Sequence, residues 1–385
     1  MDRTVDLPAT AGVTYLNTGS AGPLLASAAA AMTGQLEREL TEGRAGQAAW
    51  ELFLASRQQL RAGLGALVGA GADEITLTHH TTEGLNIALW GLDWRAGDRV
   101  LLTSLEHAAA QAAVLTLARR HGLAVDVIDC GTGQRDTVLA ALAEALTTPA
   151  RLLVTSHVSW STGAVLPVDQ MAAAAHAAGA AVLVDGAQAV GATVVDVAGL
   201  GADFYAFNGY KWLCGPEGTG GLAVGRSWHE RLRPSFGGAF GVDERTLDPH
   251  HPDTLVPAAG AARYESGSWS RPNLAGLLAT LTYHAERTAS GPAGPDLAAY
   301  CADRLRAILG ATVHTPPGQL AGLVSFSLPG TDPRALAGEL ERAGVVIRSI
   351  PGTGYLRVSC AFFTTTADID TLVATIAALT GHKGA

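Results

Sequence analysis

Short apolar runs alternate with alanine-rich amphipathic stretches along the chain up to Gly225. Runs such as AAVLVD are apolar without alternation, which is typical of strands covered by helices on both faces. A repeated strand-then-helix order favours parallel pairing through right-handed crossovers. We therefore predict an α/β fold with a mainly parallel sheet flanked by helices. The predicted strands are Arg99–Leu102, Val125–Ile128, Arg151–Ser156, Ala181–Val184, Phe204–Phe207 and Gly220–Val224, and the helices between them include His107–Arg120, Asp136–Leu146 and Asp169–Ala178.

The pattern changes after Gly225, where Gly, Pro and His cluster through Phe236–Gly260 and predict a long irregular connection. Beyond it the pattern predicts a smaller α+β unit whose last helix begins near Thr365, with Asp368 at capping-box spacing. We predict three parts, namely an N-terminal arm (1–25) without a strong helix, a large domain (26–255) and a small C-terminal domain (256–385). In the small domain we predict helices at Asn273–Ala289, Pro295–Leu309 and after the turn Pro329–Pro333, and strands at Leu323–Leu328, Val345–Arg348 and Tyr355–Ser359.

Composition narrows the possible partners. The 385 residues carry 26 basic and 35 acidic side chains, a net charge of −9, without a basic run, which argues against nucleic acid or an anionic membrane surface as the main partner. No apolar run approaches ~18 residues and the N-terminus lacks a signal-peptide pattern, so we expect a cytoplasmic protein. The chain has no CxxC pair, which argues against a zinc site or a disulfide scaffold, and we predict no metal. The four cysteines are Cys130, Cys214, Cys301 and Cys360.

Lysine usage gives the first chemical indication. Lysine occurs only at Lys211 and Lys383, so the other 26 − 2 = 24 basic residues are arginine. Lys383 is close to the C-terminus and is predicted to be a solvated tail charge. A guanidinium cannot act as an amine nucleophile at working pH. A single lysine kept in the folded body therefore suggests covalent chemistry such as a Schiff base, the alternative being an ordinary surface lysine.

Other polar residues are predicted to lie near this lysine. Ligands of doubly wound sheets bind at the carboxyl ends of the strands. Asp185 ends the strand AAVLVD, Lys211 follows the next strand, and His107 follows the strand VLLTS. Each has an ordinary alternative as a cap or a polar residue at an element end, but together they bring a carboxylate, an amine and an imidazole to one edge of the sheet.

An anion cradle is predicted at the same edge. Thr81, Thr82 and Gly84 precede the amphipathic segment LNIALW, and so could place N–H groups at a helix N-terminus against a phosphate. The alternative is an ordinary N-cap. With an amine, a carboxylate and an imidazole, this cradle matches the needs of pyridoxal phosphate (PLP), whose pyridine nitrogen must stay protonated for the ring to act as an electron sink.

In their order, these segments resemble the class V aminotransferase family of PLP fold type I. The matching segments are YLNTGSAGP, HHTTEGLNIALWGLDWRAGD, SLEH, SHVSWSTGAVLPV, VDGAQAVG, AFNGYKWLCGPEGTGGL, AARYESGSW and YLRVSCAFFTT, which span the chain nearly end to end. Within the family the chain is most similar to cysteine/cystine carbon–sulfur lyases, with isopenicillin N epimerase, hercynylcysteine sulfoxide lyase and lincosamide-pathway enzymes as relatives. The resemblance implies that residues 26–255 bind PLP, that the protein is a homodimer with shared active sites, and that it serves secondary metabolism.

The resemblance also implies roles for single residues. Lys211 would form the Schiff base and later act as the base at Cα, Asp185 would pair with the pyridine N–H, and His107 would stack on the ring. Gln188 would approach the phenolate oxygen. Thr82 and the Thr81 backbone would hold the phosphate, and Ser268 would reach the phosphate bound in the neighbouring subunit. Arg357 would bind the substrate carboxylate, with help from Asn17.

Two departures from relatives affect the expected reaction. Tyr210 stands where many relatives have His, and its hydroxyl could donate to the phosphate as a Tyr does in kynureninases, the alternative being packing. Cysteine desulfurases carry a nucleophilic Cys on a loop before the carboxylate-binding Arg, whereas RSIPGTGYLR has none. Cys214 and Cys360 are predicted to be buried. A persulfide-carrying desulfurase is therefore disfavoured.

The expected reaction is α,β-elimination on cysteine, cystine or a cysteine S-conjugate, giving a thiol or persulfide, pyruvate and ammonia. A thiolate, with a reference pKa of ~8.5, leaves with little acid assistance, which fits a sequence without an obvious general acid. Epimerisation, transamination and decarboxylation-linked deamination remain alternatives, as does a binding protein without turnover. Candidates for shaping the substrate pocket are Trp160, Trp212, Phe236, Trp269 and the segment 226–260.

Overall fold

The computed structural model describes residues 3–287, 294–308 and 310–381. The strands are β1 (Thr14–Tyr15), β2 (Ile75–Thr78), β3 (Arg99–Thr103), β4 (Ala124–Ile128), β5 (Leu152–Ser156), β6 (Ala181–Asp185), β7 (Phe204–Asn208), β8 (Gly220–Val224), β9 (Thr312–Val313), β10 (Leu323–Ser327), β11 (Val345–Val346), β12 (Arg348–Ile350) and β13 (Tyr355–Ser359). The α-helices are α1 (Arg3–Asp6), α2 (Ala26–Glu42), α3 (Gln47–Val68), α4 (Thr81–Gly91), α5 (Ala108–His121), α6 (Arg135–Ala145), α7 (Val168–Ala177), α8 (Val197–Leu200), α9 (Arg271–Arg287), α10 (Gly294–Arg306), α11 (Pro333–Arg342) and α12 (Thr366–Thr380). Lys383 and the predicted helix ends at Ala289 and Leu309 lie outside the described residues.

The large sheet has the strand order β2-β8-β7-β6-β5-β3-β4. Strands β4, β3, β5, β6 and β7 are parallel, which confirms the predicted α/β class. The sheet is mainly parallel, as predicted, and the exception is β8, which runs antiparallel to both β7 and β2. The connection from β7 to β8 spans residues 209–219 and holds no helix, and a parallel crossover needs a dozen residues or more.

Both faces of this sheet are buried, which explains the apolar runs without alternation. On β5, Leu153 faces one core with helices α6 and α7, whereas Leu152 and Val154 face the opposite core with α4 and α5. Each fully buried Leu or Val contributes about 1.5–3 kcal/mol relative to an exposed one. The strand pattern thus reflects two helical layers around one sheet.

A second, antiparallel sheet has the order β12-β13-β10-β9 and its own core against α10, α11 and α12. The predicted single strand Val345–Arg348 was wrong, because the structure divides it. Val345–Val346 pairs in parallel with β1 of the N-terminal arm, whereas β12 starts at Arg348 and pairs with β13. The predicted capping box of Thr365 and Asp368 at the start of α12 is confirmed. The domain boundaries after residues 25 and 255 stay predictions.

The N-terminal arm connects the two sheets. Its Leu16 carbonyl accepts from the Ser359 N–H at the end of β13, at 2.8 Å. Further along, Gly22 N donates to Tyr210 O at 2.8 Å, and Leu25 N donates to Cys214 O at 3.0 Å. Residues 16–25 therefore run from the small sheet to the loop that follows β7. Among the described residues, no helix is both long and apolar enough to cross a membrane.

Candidate active site

Asp185 lies at the carboxyl end of β6, as predicted, and is buried. Its Oδ1 accepts from the Ala187 N–H at 2.9 Å, and it stands opposite Ser156 in the β5–β6 register. Burial raises the pKa of Asp185, while the Ala187 hydrogen bond and the charge of Lys211 act to lower that pKa. Because Asp185 is shielded from water, its ionised form depends on a nearby cationic group for stabilisation.

Lys211 lies on the loop after β7. Burial lowers the pKa of its amine to about 8, Arg357 and Arg348 lower it further, and Asp185 opposes the shift. No carboxylate oxygen of the described residues lies within 4.0 Å of the amine. A substantial fraction of Lys211 is therefore neutral near pH 8, the form that attacks an aldehyde.

Asn208, which the sequence analysis did not single out, joins the lysine loop to the predicted phosphate site. Its Oδ1 accepts from Lys211 N at 3.2 Å, and its Nδ2 donates to Thr81 Oγ1 at 3.0 Å. Asn208 is buried at the end of β7. A polar residue closing an apolar strand at the ligand-binding edge is the signal that could have found it.

The residues of the predicted anion cradle form the first turn of α4. The prediction that Thr81, Thr82 and Gly84 precede this helix was wrong, because the N-cap is His80, whose Nδ1 accepts from Glu83 N at 3.1 Å. The two threonines therefore occupy the first helical positions, and no acceptor among the described residues takes their backbone N–H groups. Free first-turn N–H groups and the helix dipole suit a phosphate better than a preceding loop would.

His107 is the N-cap of α5, and its Nδ1 accepts from Ala109 N at 3.2 Å. Burial lowers the pKa of its imidazole to about 4, and the positive charges of Lys211, Arg348 and Arg357 lower it further. The ring is thus neutral at pH 7. It stands nearly perpendicular to the ring of Trp160, with 4.9 Å between the centroids.

A buried cationic site lies where the small sheet meets the cavity. Arg357, on β13, donates from Nη1 to Trp160 O at 2.7 Å and from Nη2 to Ser20 Oγ at 3.4 Å, while its buried Nε has no partner. Burial lowers the pKa of Arg357 to about 9, and neighbouring Arg348 acts in the same direction. Arg348 itself donates to Ser20 Oγ at 2.9 Å and was missed by the sequence analysis. An anion would satisfy both guanidinium groups.

Asn17 and Gln188 complete the surroundings of this site. Ser20 Oγ donates to Asn17 Oδ1 at 2.7 Å, so the Ser20 lone pairs point to the two arginines. Gln188 is buried; its Nε2 donates to Gly19 O at 2.8 Å, and its Oε1 accepts from Trp212 Nε1 at 2.9 Å. Asn17 therefore orients the Ser20 hydroxyl that accepts from the two arginines. Both the nitrogen and the oxygen of the Gln188 side-chain amide are hydrogen-bonded.

Glu106 is a buried carboxyl group that the sequence analysis missed. Its Oε1 accepts from Thr103 Oγ1 and from Ser156 N, both at 2.6 Å, and its Oε2 accepts from Ser156 Oγ at 2.8 Å. Burial raises the pKa of Glu106 to about 7, and the charge of Asp185 acts in the same direction. In the sequence, Glu106 looks like an ordinary acidic residue just before a helix, so no pattern indicates its burial.

Most of the predicted residues meet at one cavity of about 490 Å³. Ser268 does not line this cavity and is exposed, and Asn17 and Arg357 lie beside it. Among the described residues there is no group of three His, Cys, Asp or Glu placed to hold a metal. The lining consists of His80, Thr81, Thr82, His107, Ala109, Ser156, Val158, Trp160, Asp185, Ala187, Gln188, Tyr210, Lys211, Glu217 and Gly218.

The other candidates for shaping the pocket lie elsewhere. Trp212 is buried and supports Gln188, Trp269 is buried and stacks on His79 with 4.2 Å between centroids, and Phe236 is exposed. Cys214 and Cys360 are buried, as predicted. Trp160 alone among the four aromatic candidates lines the cavity.

The cavity residues fit pyridoxal phosphate. The amine of Lys211 suits the aldehyde, the Asp185 carboxylate suits a protonated pyridine nitrogen, and the free N–H groups of Thr81 and Thr82 suit the phosphate. His107, neutral and half-buried, suits the ring face. When bound, the cofactor supplies an electron sink for carbanion chemistry at an amino acid Cα.

Comparisons with known proteins agree with this site. The profile of the family described as Aminotransferase class-V matches residues 14–372. A probable cysteine desulfurase from Methanothermobacter thermautotrophicus is 29% identical, with 98% of this chain and 97% of the relative covered. An isopenicillin N epimerase from Streptomyces clavuligerus is 31% identical, with 96% of each chain covered.

The solved structures give a similar result. A mutant of C-DES with glycine covalently linked to the PLP cofactor superimposes with a TM-score of 0.91 at 30% identity, covering 98% of this chain and 99% of that one. A second C-DES structure, described as the cystine C–S lyase in complex with its reaction product cysteine persulfide, has a TM-score of 0.88 at 30% identity and covers 96% and 99% of the two chains.

Proposed function

The chain belongs to the class V aminotransferase family of PLP-dependent enzymes, and on this premise we propose that it is a carbon–sulfur β-lyase for cysteine, cystine or a cysteine S-conjugate. The family resemblance seen in the sequence is confirmed. The observation that carries the proposed reaction is that no cysteine lines the cavity formed by the described residues. All four cysteines are buried, and burial raises the pKa of Cys214, the one nearest Lys211 in sequence. A lyase needs no cysteine nucleophile, whereas a persulfide-carrying desulfurase does.

The proposed work of the protein divides among a few residues. Arg357 binds the α-carboxylate through a charge-assisted pair, and Arg348 adds a second cation beside it. Lys211 takes the proton from Cα, and burial, which lowers the pKa of its amine to about 8, increases the fraction present as the neutral base. His107, uncharged, covers the ring face without competing for that proton.

The bond changes follow from the substrate. The Cα–H and Cβ–S bonds break, the sulfur leaves as a thiolate or a persulfide, and the remaining three-carbon fragment takes up water to give pyruvate and ammonia. Oxidation states balance without an added oxidant or reductant. Arg348 and Arg357 donate to Ser20 but have no carboxylate partner among the described residues, which favours a substrate with more than one anionic group, as in cystine with its two carboxylates.

Epimerisation is the second candidate, favoured by the relative named isopenicillin N epimerase, which matches 96% of this chain. An epimerase would exchange the Cα hydrogen with solvent and release no ammonia. Transamination would need a keto acid, and decarboxylation-linked deamination would release CO₂. These products separate the four reactions in one assay.

The test is to incubate the pure protein with PLP and with cystine, cysteine and S-substituted cysteines, measuring pyruvate, ammonia and released sulfur. We expect equal amounts of pyruvate and released sulfur compound. Lys211→Ala and Lys211→Arg should both lose the visible cofactor band and the activity, because arginine keeps the charge but not the amine. Solvent exchange at Cα without pyruvate from any substrate would favour the epimerase and reject the lyase.

We also propose a homodimer in which Ser268 contacts the phosphate site of the partner subunit. Two observations support it, namely that Ser268 is exposed and outside its own cavity, and that α2 and α3 expose large apolar side chains. These are Leu36, Leu40, Trp50, Leu52 and Leu54.

Mixing Lys211→Ala with Ser268→Ala subunits tests this arrangement, because only exchange between subunits can restore one complete site per dimer. A monomer by light scattering, or no recovery on mixing, would reject it.

A further inference from the structure

Trp160 stands on a tight turn that projects into the cavity. Val158 and Val165 form an antiparallel bridge at the base of the turn, and Ser159 N donates to Ala164 O at 2.9 Å. Gly163 has φ +78°, and a Cβ at this position would lie 2.6 Å from Leu323 O. Only glycine permits both this backbone conformation and the close approach to β10.

The small sheet braces the same turn. Ser325 Oγ donates to Ser161 O at 2.6 Å, and Thr315 Oγ1 donates to Thr162 O at 2.5 Å. All of these residues are buried. The Arg357 guanidinium adds a third bond, to Trp160 O at 2.7 Å. These three hydrogen bonds hold the backbone from which the Trp160 side chain extends.

Trp160 contacts residues from both parts of the site. Its own carbonyl holds the carboxylate-binding Arg357, and its ring stands against His107, on the cofactor side. Trp160 and Lys211 line the same cavity and Arg357 bonds the Trp160 carbonyl, so the indole is placed to contact the side chain of a substrate bound there. Trp160 is also the largest side chain lining the cavity and is half-buried, whereas Trp212 and Trp269 are buried in packing.

We propose that Trp160 is a specificity-determining residue, a fixed wall that admits slender substituents on the substrate sulfur and excludes branched or aromatic ones. The inference rests on the proposed function for the identity of the substrate, but the wall acts on any amino acid side chain at this site. Because the backbone of the turn is held, a bulky group on the substrate meets the indole and binds less well. Pocket size alone typically discriminates by roughly 10–200-fold.

The experiment compares Trp160→Ala and Trp160→Phe with the unchanged protein, using S-methyl-, S-ethyl-, S-tert-butyl- and S-benzyl-L-cysteine. We expect Trp160→Ala to raise kcat/KM for the S-benzyl relative to the S-methyl compound by at least about tenfold. Trp160→Phe should change this ratio by less than about threefold, because a ring remains. An unchanged ratio in Trp160→Ala would overturn the proposal.

A binding measurement separates this inference from the proposed function. The affinities of L-phenylalanine and L-alanine, which contain no sulfur, are followed by the visible cofactor spectrum in each variant. The phenylalanine-to-alanine affinity ratio should rise by about tenfold in Trp160→Ala even if no substrate is cleaved. An unchanged ratio rejects the wall, whereas absence of pyruvate rejects only the lyase.

Two variants control for loss of an indole and for poor folding. Trp94→Ala removes an indole that donates to Leu89 O and lies outside the cavity lining, so both ratios should stay unchanged. If Trp160→Ala does not fold, Trp160→Leu replaces it and should shift both ratios in the same direction. A shift in Trp94→Ala equal to that in Trp160→Ala would mean a general effect of stability and would overturn the proposal.

Discussion

Arg348 and Arg357 lie opposite each other in the β12–β13 pair, and both guanidinium groups donate to the hydroxyl of Ser20, at 2.9 and 3.4 Å. Among the described residues, neither has a carboxylate within 4.0 Å. Two cations facing one neutral oxygen repel each other, and the low dielectric of a buried site strengthens that repulsion. A bound carboxylate relieves it, which makes anion binding at this site favourable.

Replacing Arg357 by Gln should raise KM for S-methyl-L-cysteine by roughly 10–150-fold, because a hydrogen bond to a charged group contributes about 1.5–3 kcal/mol. Arg348→Gln should have a smaller effect on this monocarboxylate and a larger one on cystine. Steady-state kinetics on both substrates measures the two effects. Arg304→Gln, in an exposed pair with Asp370, is the control and should leave both KM values unchanged. Equal losses on both substrates in Arg348→Gln would contradict a role at the second carboxylate.

Capture of PLP by the apoprotein should follow the ionisation of Lys211. Burial lowers the pKa of this amine to about 8 from an ordinary 10.5, and only the neutral amine attacks the aldehyde. The second-order capture rate should therefore rise about tenfold per pH unit below 8 and become level above it. Stopped-flow absorbance gives the profile, and Lys383→Arg should not alter it. A rate that still climbs to pH 10 would mean an unperturbed lysine.

The parts of the site that the sequence predicted share one physical origin. Asp185 and Lys211 could be placed because parallel strands end at one edge, so the chain order alone brings them together. Arg348 and Asn208 could not, because their roles depend on pairing between distant segments, β12 with β13 and the β7 end with Thr81. The direction of β8 has a different cause, because it is set by the short loop 209–219 and not by the residues of β8 itself.

The helix cap at the predicted phosphate site is another example. Thr81 and Thr82 are good N-cap residues, and local preference placed them before the helix. The structure instead uses His80, which frees both threonine N–H groups for a ligand. A functional site can override the locally preferred cap, and sequence preference alone does not show where it does.

Glu106 should make stability depend on pH in an unusual direction. Its native pKa is about 7, above the ordinary 4.5, so the native protein binds more protons than the unfolded chain between these values. The stabilisation from Glu106 is complete below pH 4.5 and is lost as the pH rises through 7. Glu106→Gln does not titrate. The unchanged protein therefore loses stability with rising pH and the variant does not. The unfolding free energy of Glu106→Gln minus that of the unchanged protein should rise by roughly 2 kcal/mol from pH 5 to pH 8.

Urea titrations of both proteins at pH 5, 6, 7 and 8 measure this difference. Ionisable groups that do not interact with Glu106 contribute equally to both proteins and cancel in the comparison; Asp185, whose charge acts on Glu106, is counted with it. Glu106→Ala serves as the control, because it removes the acceptors of Thr103 and Ser156 and should destabilise at every pH. A difference that stays constant with pH would mean that Glu106 is ionised throughout.

The contact between the N-terminal arm and the lysine loop gives the last prediction. Gly22 N donates to Tyr210 O, and a Cβ at Gly22 would lie 2.1 Å from Lys211 O and 2.8 Å from Cys214 Sγ. The loop cannot yield easily, since Cys214 already has φ 56°, rare for a residue with a side chain. Gly22→Ala must therefore push the arm and the lysine apart.

We expect Gly22→Ala to weaken PLP binding by at least about tenfold, equivalent to 1.4 kcal/mol, because Lys211 is displaced from its place in the cavity lining. Fluorescence titration of the apoprotein measures the affinity. Gly338→Ala is the matched control, since a Cβ there meets no atom within 4 Å inside helix α11, and it should stabilise by about 0.5–1 kcal/mol. Unchanged PLP affinity in a folded Gly22→Ala protein would show that the arm does not position Lys211.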